Sequence, residues 1–197
     1  MDSPKDIDQY YRKQYKIYDA TRSSFLFGRN KLAQLVNQDL NENDTILEVG
    51  CGTGYLLKRI ETCDKYGIDL SSEMLSLAKK KLGESAVLEN TLLEEYKPDF
   101  KFDKVILAYY FTISLSQKES QLEKIKSLLS DGGFIYVVDF HRYGNSIYKK
   151  YMNWHGIEMN PNLSQALEGN FDTVKLSIQK AYAGMWEYFI YKGVYRA

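Results

Sequence analysis

The sequence predicts an α/β fold built on a doubly wound, mostly parallel sheet of seven strands that ends in an antiparallel C-terminal hairpin. Between Thr45 and Phe140, five short apolar runs alternate mostly with helical patterns, which is typical of parallel strands covered on both faces. After Phe140 two strand-like runs, 174–181 and 187–195, follow one another with no helix between them. These two runs predict the hairpin.

Each element has a local signal in the sequence. Apolar residues at helical spacing predict the helices, and serines placed as N-caps or glycines placed as stops predict several of their ends. Three predicted helices lie between Ser24 and Leu40, between Ser71 and Gly83, and between Ser146 and His155. A fourth follows Gly54 and carries Leu56, Leu57 and Ile60. A fifth begins at a capping box of Ser116 and Glu119 and ends at Asp131-Gly132-Gly133. The predicted parallel strands are Thr45–Val49, a run that ends at Asp69, Ala86–Leu88, Phe102–Leu107 and Phe134–Phe140.

Charge divides the chain into basic ends and an acidic centre. Residues 1–31 carry 7 Lys and Arg against 4 Asp and Glu, residues 141–197 carry the same numbers, and the centre carries 12 against 18. Overall the 26 basic residues equal the 26 acidic ones, so no strong field attracts nucleic acid and we expect none as a partner. The ends also hold 11 of the 17 tyrosines. They would suit peripheral contact with an anionic membrane surface, and a solvated charged surface explains them equally well.

The sequence contains no apolar run of about eighteen residues that would span a bilayer and no apolar signal segment at its N-terminus. We therefore expect a cytoplasmic protein. The two cysteines, Cys51 and Cys63, form no CxxC pair, and the chain has only two histidines. We expect neither a disulfide framework nor a metal site.

A glycine-rich turn, Gly50-Cys51-Gly52-Thr53-Gly54, follows the first strand at the end where ligands bind in doubly wound sheets. Glycines there let the backbone approach a ligand closely. The GxGxG spacing differs from the GxGxxG of dinucleotide loops, and Glu48 would repel a pyrophosphate but can bind an ammonium group. The turn therefore predicts a cofactor with an ammonium group, with a tight turn that binds no ligand as the alternative.

Asp69 closes the second strand, nineteen residues after Gly50. A carboxylate at this place can accept hydrogen bonds from both hydroxyls of a ribose. Its alternative role is to cap the helix that begins near Ser71, and the two roles are compatible. Together with the glycine turn, Asp69 predicts a ribose-containing cofactor.

Four segments together resemble class I S-adenosylmethionine (SAM) dependent methyltransferases, which have a Rossmann-like fold. The segments are Leu-Glu-Val-Gly-Cys-Gly-Thr-Gly, Gly-Ile-Asp-Leu-Ser-Ser-Glu-Met-Leu, Phe-Asp-Lys-Val-Ile-Leu and Leu-Leu-Ser-Asp-Gly-Gly-Phe-Ile. The resemblance implies that SAM is the cofactor. It implies that Asn90 and Thr91 frame the adenine of SAM, and many relatives carry Asp where this chain has Asn90. It also implies that Ala108 and Tyr109 line the methyl-transfer site. The cofactor-binding residues that we expect are Glu48, Gly50, Cys51, Gly52, Gly54, Asp69, Leu70, Met74, Asn90, Thr91 and Ala108.

The N-terminus resembles the methyltransferase part of betaine-lipid synthases, which trimethylate the amine of diacylglyceryl-homoserine. The similar segments are Tyr10–Arg12, Ile17–Arg22 and Ser24–Arg29, and more loosely Val137–Phe140, Trp154 and Asn160–Leu163. Tyr11 and Tyr18 would present ring faces to an amine, and such faces attract a methylated cation by about 0.5 to 2 kcal/mol each. His141, placed directly after the fifth strand, would remove the ammonium proton. We expect Tyr11, Tyr18, Tyr109 and His141 to be catalytic; packing of an N-terminal helix for the tyrosines, and a surface position for His141, are the alternatives.

Three functions remain open on the sequence. The first is N-methylation of an amine headgroup, such as a betaine-lipid or phospholipid precursor; the second is methylation of a soluble small molecule or quinone-like acceptor; the third is SAM binding without catalysis. In all three we expect one domain, because the chain shows no repeat or linker. Its expected parts are an N-terminal lid or substrate segment, a cofactor-binding core, and substrate-side helices with the hairpin, at residues 1–31, 44–140 and 141–197.

Overall fold

The computed structural model describes residues 25–61, 64–112, 114, 118–154 and 157–197. The helices in chain order are α1 (Arg29–Gln38), α2 (Ser72–Leu82), α3 (Lys118–Leu128), α4 (Ser146–Trp154) and α5 (Leu163–Glu168). The strands are β1 (Thr45–Val49), β2 (Asp64–Asp69), β3 (Val87–Asn90), β4 (Phe102–Ala108), β5 (Leu129–Tyr143), β6 (Asp172–Ala181) and β7 (Trp186–Val194). Single 3₁₀ turns lie at Leu57–Arg59 and Tyr182–Gly184.

The seven strands form one sheet in the order β3-β2-β1-β4-β5-β7-β6. The first five strands in this order are parallel, and β7 pairs antiparallel with both β5 and β6. This arrangement confirms the predicted α/β fold with its antiparallel C-terminal hairpin. The carboxyl ends of the parallel strands therefore meet at one edge of the sheet.

Successive side chains of the central strands enter two different apolar layers, as the pleat of a strand requires. Leu47 of β1 packs on one face, in a cluster that includes residues of α3 and α5. Ile46 points to the opposite face, where Leu32 and Val36 of α1 and Met152 of α4 lie. Burial on both faces explains why these strands are nearly continuous apolar runs in the sequence.

Two predicted elements are wrong. The segment after the glycine turn forms one 3₁₀ turn rather than a helix, because Ile60 already has extended backbone angles. Leu56, Leu57 and Ile60 are nevertheless buried as their spacing predicts. The glycines at 131–133 do not end a helix: β5 starts at Leu129 and the residues at 130–133 form an irregularity in its pairing with β4.

The remaining differences are at the ends of elements. Helix α1 begins at Arg29, after Gly28, whose positive φ of 82° turns the chain into the helix; Ser24 lies outside the described residues. Strand β5 continues to Tyr143 because it pairs with β7 as far as Trp186. Helix α5 was not predicted, and the proposed cap Ser116 lies outside the described residues.

In the part of the chain that the structure describes, no helix is long and apolar enough to cross a membrane. The same residues contain no cluster of three or more His, Cys, Asp or Glu side chains that could bind a metal ion.

Replacing Ser71 with Ala should lower the free energy of unfolding by about 1 kcal/mol, because Ser71 Oγ accepts the Met74 N–H at the start of α2. Urea unfolding followed by circular dichroism measures this loss. Ser72→Ala, at the next and exposed position, is the matched control and should change stability much less. Equal losses in both variants would contradict the capping role.

Candidate active site

The predicted ligand site lies at the carboxyl edge of the sheet, where β1, β2, β4 and β5 end side by side. The turn after β1 contains three glycines with positive φ, 70° at Gly50, 52° at Gly52 and 71° at Gly54. A Cβ at Gly50 would lie 2.9 Å from the Tyr110 ring, and one at Gly54 would lie 2.8 Å from Leu82. At Gly52, by contrast, nothing lies within 4 Å of that position. The loop is thus packed at both ends and open at its centre.

Glu48, at the end of β1, is only 3% exposed. Its Oε2 atom has no hydrogen-bond partner among the described residues. Burial raises the pKa of Glu48 to about 8, against the lowering effect of the Leu57 N–H and the Arg29 charge, while the Asp69 charge raises it further. A buried carboxylate with a free oxygen is unfavourable unless a cation or donor compensates it. The burial and the unpartnered oxygen make Glu48 suited to binding a positively charged group, and its predicted role in cofactor binding stays a prediction.

Arg29 is a site residue to which the sequence reasoning assigned no role. It is 7% exposed, its Nε donates to the Leu26 carbonyl at 3.3 Å, and its guanidinium lies 3.9 Å from the centre of the Tyr55 ring. Among the described residues the guanidinium makes no other hydrogen bond, and its charge acts on Glu48. A buried guanidinium beside a buried carboxylate presents both charges needed to hold an amino-acid zwitterion. A signal was present, because Arg29 lies in the segment Ser24–Arg29 that resembles relatives.

Asp69 connects the loop after β1 to helix α2. One carboxylate oxygen accepts the Gly52 N–H at 2.8 Å and the other accepts the Ser71 N–H at 2.9 Å. Burial raises the pKa of Asp69, and these two hydrogen bonds lower it. Each oxygen keeps a second lone pair, so the carboxylate can accept two ribose hydroxyls without losing its backbone contacts.

Asn90, predicted to lie just after the third strand, is the last residue of the edge strand β3 and pairs with Asp69. Its amide nitrogen donates to the backbone carbonyls of Asp69 and Leu70 at 2.9 and 2.8 Å, which leaves the amide oxygen to accept from a ligand. An Asp here could not donate, which gives a physical reason for Asn at this position. Leu70 and Thr91 are partly buried next to it, while Met74, in the first turn of α2, is 1% exposed.

Two tyrosines follow β4. Tyr109 has a positive φ of 59°, and its buried hydroxyl donates to the Phe27 carbonyl at 2.6 Å. Burial raises the pKa of Tyr109 well above its ordinary value, so the hydroxyl stays protonated. Tyr110, which the sequence reasoning missed, covers Gly50 with its ring. Ala108 lies half-buried before them at the end of β4.

His141 lies inside β5 and not after it, at an irregularity in the pairing with β7 between Phe140 and Arg142. Its Nδ1 is buried with no partner among the described residues, and burial lowers the pKa of the imidazole. The ring is therefore neutral near pH 7 and can accept a proton. Tyr11 and Tyr18 lie outside the described residues, and their predicted roles stay predictions.

Cys51 is 3% exposed and packs with Leu57 and Leu75 in a small apolar cluster. Burial raises the pKa of its thiol well above the ordinary value. Only its backbone can face a ligand bound at the loop.

A family model described as a methyltransferase domain matches residues 47–135. An uncharacterized protein of Methanocaldococcus jannaschii is 28% identical over 175 residues, which cover 88% of this chain and 62% of that protein. The ubiquinone/menaquinone biosynthesis C-methyltransferase of Wigglesworthia glossinidia brevipalpis is 25% identical over 186 residues, which cover 87% of this chain and 74% of that enzyme. The chain thus spans less than two thirds of the length of the Methanocaldococcus jannaschii protein.

Among solved structures, the N-methyltransferase NodS from Bradyrhizobium japonicum in complex with S-adenosylhomocysteine (SAH) is similar, with a TM-score of 0.76. The similarity covers 95% of this chain and 97% of NodS at 13% sequence identity. The two proteins therefore share their fold.

Replacing Glu48 with Gln should stabilise the ligand-free protein at pH 8 by about 2 kcal/mol. Because the pKa of Glu48 is raised from 4.5 to about 8, the folded chain holds this proton more tightly than the unfolded chain, and stability falls as the pH rises through that window. The neutral amide removes this dependence. Urea unfolding of both proteins between pH 5 and 8 measures it, with exposed Glu42→Gln as the control. Parallel stability curves for wild type and Glu48→Gln would contradict the argument.

Proposed function

We propose that this chain, which carries a methyltransferase domain in the fold of class I SAM-dependent methyltransferases, binds SAM at the carboxyl edge of β1 and β2 and transfers its methyl group to a small acceptor. SAM is the cofactor that this domain and fold use. The observation that carries the proposal is the buried Glu48 carboxylate with a free oxygen, next to the open centre of the glycine loop at Gly52.

The residues at this edge match the chemistry of SAM group by group. Glu48 would hold the ammonium group, Arg29 the carboxylate, Asp69 the ribose hydroxyls and Asn90 the adenine. Gly52 leaves room for the ligand at the centre of the loop. Bound SAM supplies a methyl group on a positive sulfonium, which a nucleophile with a free lone pair can attack.

The chain's contribution to the reaction is then to position the acceptor and to keep it unprotonated. Alignment of the two reactants can supply much of the rate, so no strong acid or base is required. If the acceptor is an amine, the neutral imidazole of His141 is the group that would take its proton. Tyr109, which is held by Phe27, would form the wall of the site rather than exchange a proton.

For the acceptor we propose an amine headgroup, such as that of a betaine-lipid or phospholipid precursor, presented at a membrane surface. Three observations support it: the N-terminal resemblance to betaine-lipid synthases, the basic ends of the chain, and the outer face of α4. On that face Ile147 and Trp154 are 76% and 81% exposed, beside Lys149 and Lys150. Aromatic and apolar side chains flanked by lysines are typical of helices that lie at a membrane interface.

A soluble or quinone-like acceptor is the second candidate, because a relative that aligns with 87% of this chain is a C-methyltransferase of quinone biosynthesis. A SAM-binding protein without catalysis is the third. The acceptor assay below distinguishes all three, because the third should bind SAM and methylate nothing.

Asp69→Ala should abolish the binding of SAM and SAH that we expect of the wild type at micromolar concentration. The substitution removes the ribose acceptor and the hydrogen bond to Gly52 together. Isothermal titration calorimetry measures the loss, and Asp64→Ala, at the opposite end of β2, is the matched control. Absence of binding by the wild type would overturn the proposed function.

Ile147→Glu should reduce methyl transfer to an amine lipid held in vesicles and leave transfer to a short-chain, water-soluble analogue unchanged. The carboxylate would oppose insertion of the α4 face into an anionic surface. Transfer of radiolabelled methyl measures both reactions. Val87→Glu, at the amino end of β3 and 60% exposed, is the control. Methylation of a quinol but of no amine would replace this acceptor with the second candidate.

A further inference from the structure

Asp139 lies near the carboxyl end of the parallel part of β5 and is fully buried. Its carboxylate accepts the Phe140 N–H at 2.8 Å, the Thr112 N–H at 3.3 Å, the Thr112 hydroxyl and the Phe111 N–H. Burial raises the pKa of Asp139 to about 6, so the group is ionised above that pH and acts only as an acceptor. Three of the four donors belong to the segment after β4. The carboxylate therefore ties that segment to β5.

The tied segment forms a wall of the cofactor loop. It begins at Tyr109, whose left-handed backbone costs about 1 kcal/mol relative to an ordinary conformation. The Tyr109 N–H donates to the Val138 carbonyl at 2.7 Å, which fixes the start of the segment. Tyr110 then places its ring against Gly50. The backbone is thus held before Tyr110 by Val138 and after it by Asp139, while the Tyr110 hydroxyl accepts from the Gln121 amide at 3.4 Å.

We propose that Asp139 is a positioning residue: by holding Phe111 and Thr112 it keeps the Tyr110 ring against Gly50 and so shapes the glycine loop for the cofactor. The inference rests on the proposed function for its effect on binding, but its effect on the loop can be measured without cofactor. Asp139 is fully buried, so its effect on the cofactor loop would pass through Phe111, Thr112 and Tyr110.

A plain stabilising role is the competing explanation, and the chain contains a matched control for it. At the opposite edge of the sheet Thr45 donates from both its N–H and its hydroxyl to the Asp103 carboxylate, each at 2.9 Å. This pair repeats the contact of Thr112 with Asp139 but lies far from the glycine loop. Removing either hydroxyl removes one charge-assisted hydrogen bond while changing the shape of the side chain little. At Thr45 it also removes the acceptor of the Asp103 N–H, so this control loses at least as much local bonding as Thr112→Val.

The experiment compares Thr112→Val, Thr112→Ser and Thr45→Val in the full chain, with Asp139→Asn as a second test of the same contact. Calorimetry measures the Kd for SAH, thermal unfolding measures Tm, and hydrogen exchange of the ligand-free proteins measures opening of residues 50–54. We expect Thr112→Val to raise Kd about fivefold or more and to speed exchange at 50–54. Thr112→Ser should restore both, and Thr45→Val should lower Tm with neither effect.

The outcomes separate the two proposals. If Thr112→Val lowers Tm but leaves Kd and exchange at 50–54 unchanged, Asp139 is only a core group and the inference is wrong. If the wild type binds no SAH, the proposed function fails, and the exchange of the ligand-free proteins still decides whether Asp139 positions the loop. If Asp139→Asn does not fold, the three threonine variants carry the test alone.

Discussion

The arrangement of the site depends on the carboxylate of Asp69. One of its oxygens holds the Gly52 N–H and the other holds the Ser71 N–H, so a single side chain fixes the centre of the glycine loop and the first turn of α2 to the end of β2. Gly52 is the residue of the loop with open space beside it. The hydrogen bonds of Asp69 with Gly52 and Ser71 therefore also fix where the open space beside Gly52 lies relative to the Asp69 carboxylate.

Glu48, Asp69 and Asp139 lie near the carboxyl edge of the sheet, and burying their charged forms lowers the stability of the ligand-free protein. Burial raises the pKa of Glu48, Asp69 and Asp139, and the charge of Asp69 raises that of Glu48 further. Arg29 offsets part of the charge at Glu48, and Lys118 lies close enough for Asp139 to act on its pKa. A positively charged cofactor would supply compensation that the chain lacks. Binding and stability are then linked, since a ligand that prefers the folded state stabilises it.

The cofactor half of the site could be predicted from sequence because its signals are local. Glu48, the glycines and Asp69 each stand at the end of a strand within one β-turn-β stretch, and spacing alone places them together. Arg29, Tyr110 and Asp139 could not be found in this way. The charge of Arg29 acts on Glu48 from helix α1, and Asp139 on β5 accepts from residues 111 and 112, which follow β4. Such contacts depend on strand order and register, which no short motif contains.

Element boundaries failed for the same reason. The pattern at 131–133 is a proper helix stop, yet β5 begins before it because Leu129 pairs with Phe102 on β4. His141 was expected beyond the strand, but pairing with β7 carries β5 two residues past it. In both cases a partner strand overrides the local preference of the sequence. The prediction of the fold survives these errors, because strand order depends on the number and spacing of the elements rather than on their ends.

The part of the chain outside the family match is held together by contacts between residues that are distant in sequence. The family match covers residues 47–135, and outside it the chain builds an aromatic cluster from distant segments: Phe25 and Phe27 before α1, Tyr148 on α4, and Trp186 on β7. Each of these ring pairs joins residues that are far apart in sequence. None of the rings belongs to the segment from Glu48 to Asp69. Similar proteins include a C-methyltransferase by sequence and an N-methyltransferase by fold. The aromatic cluster is separate from the contacts that hold Glu48, the glycine turn and Asp69, so it can change without disturbing them.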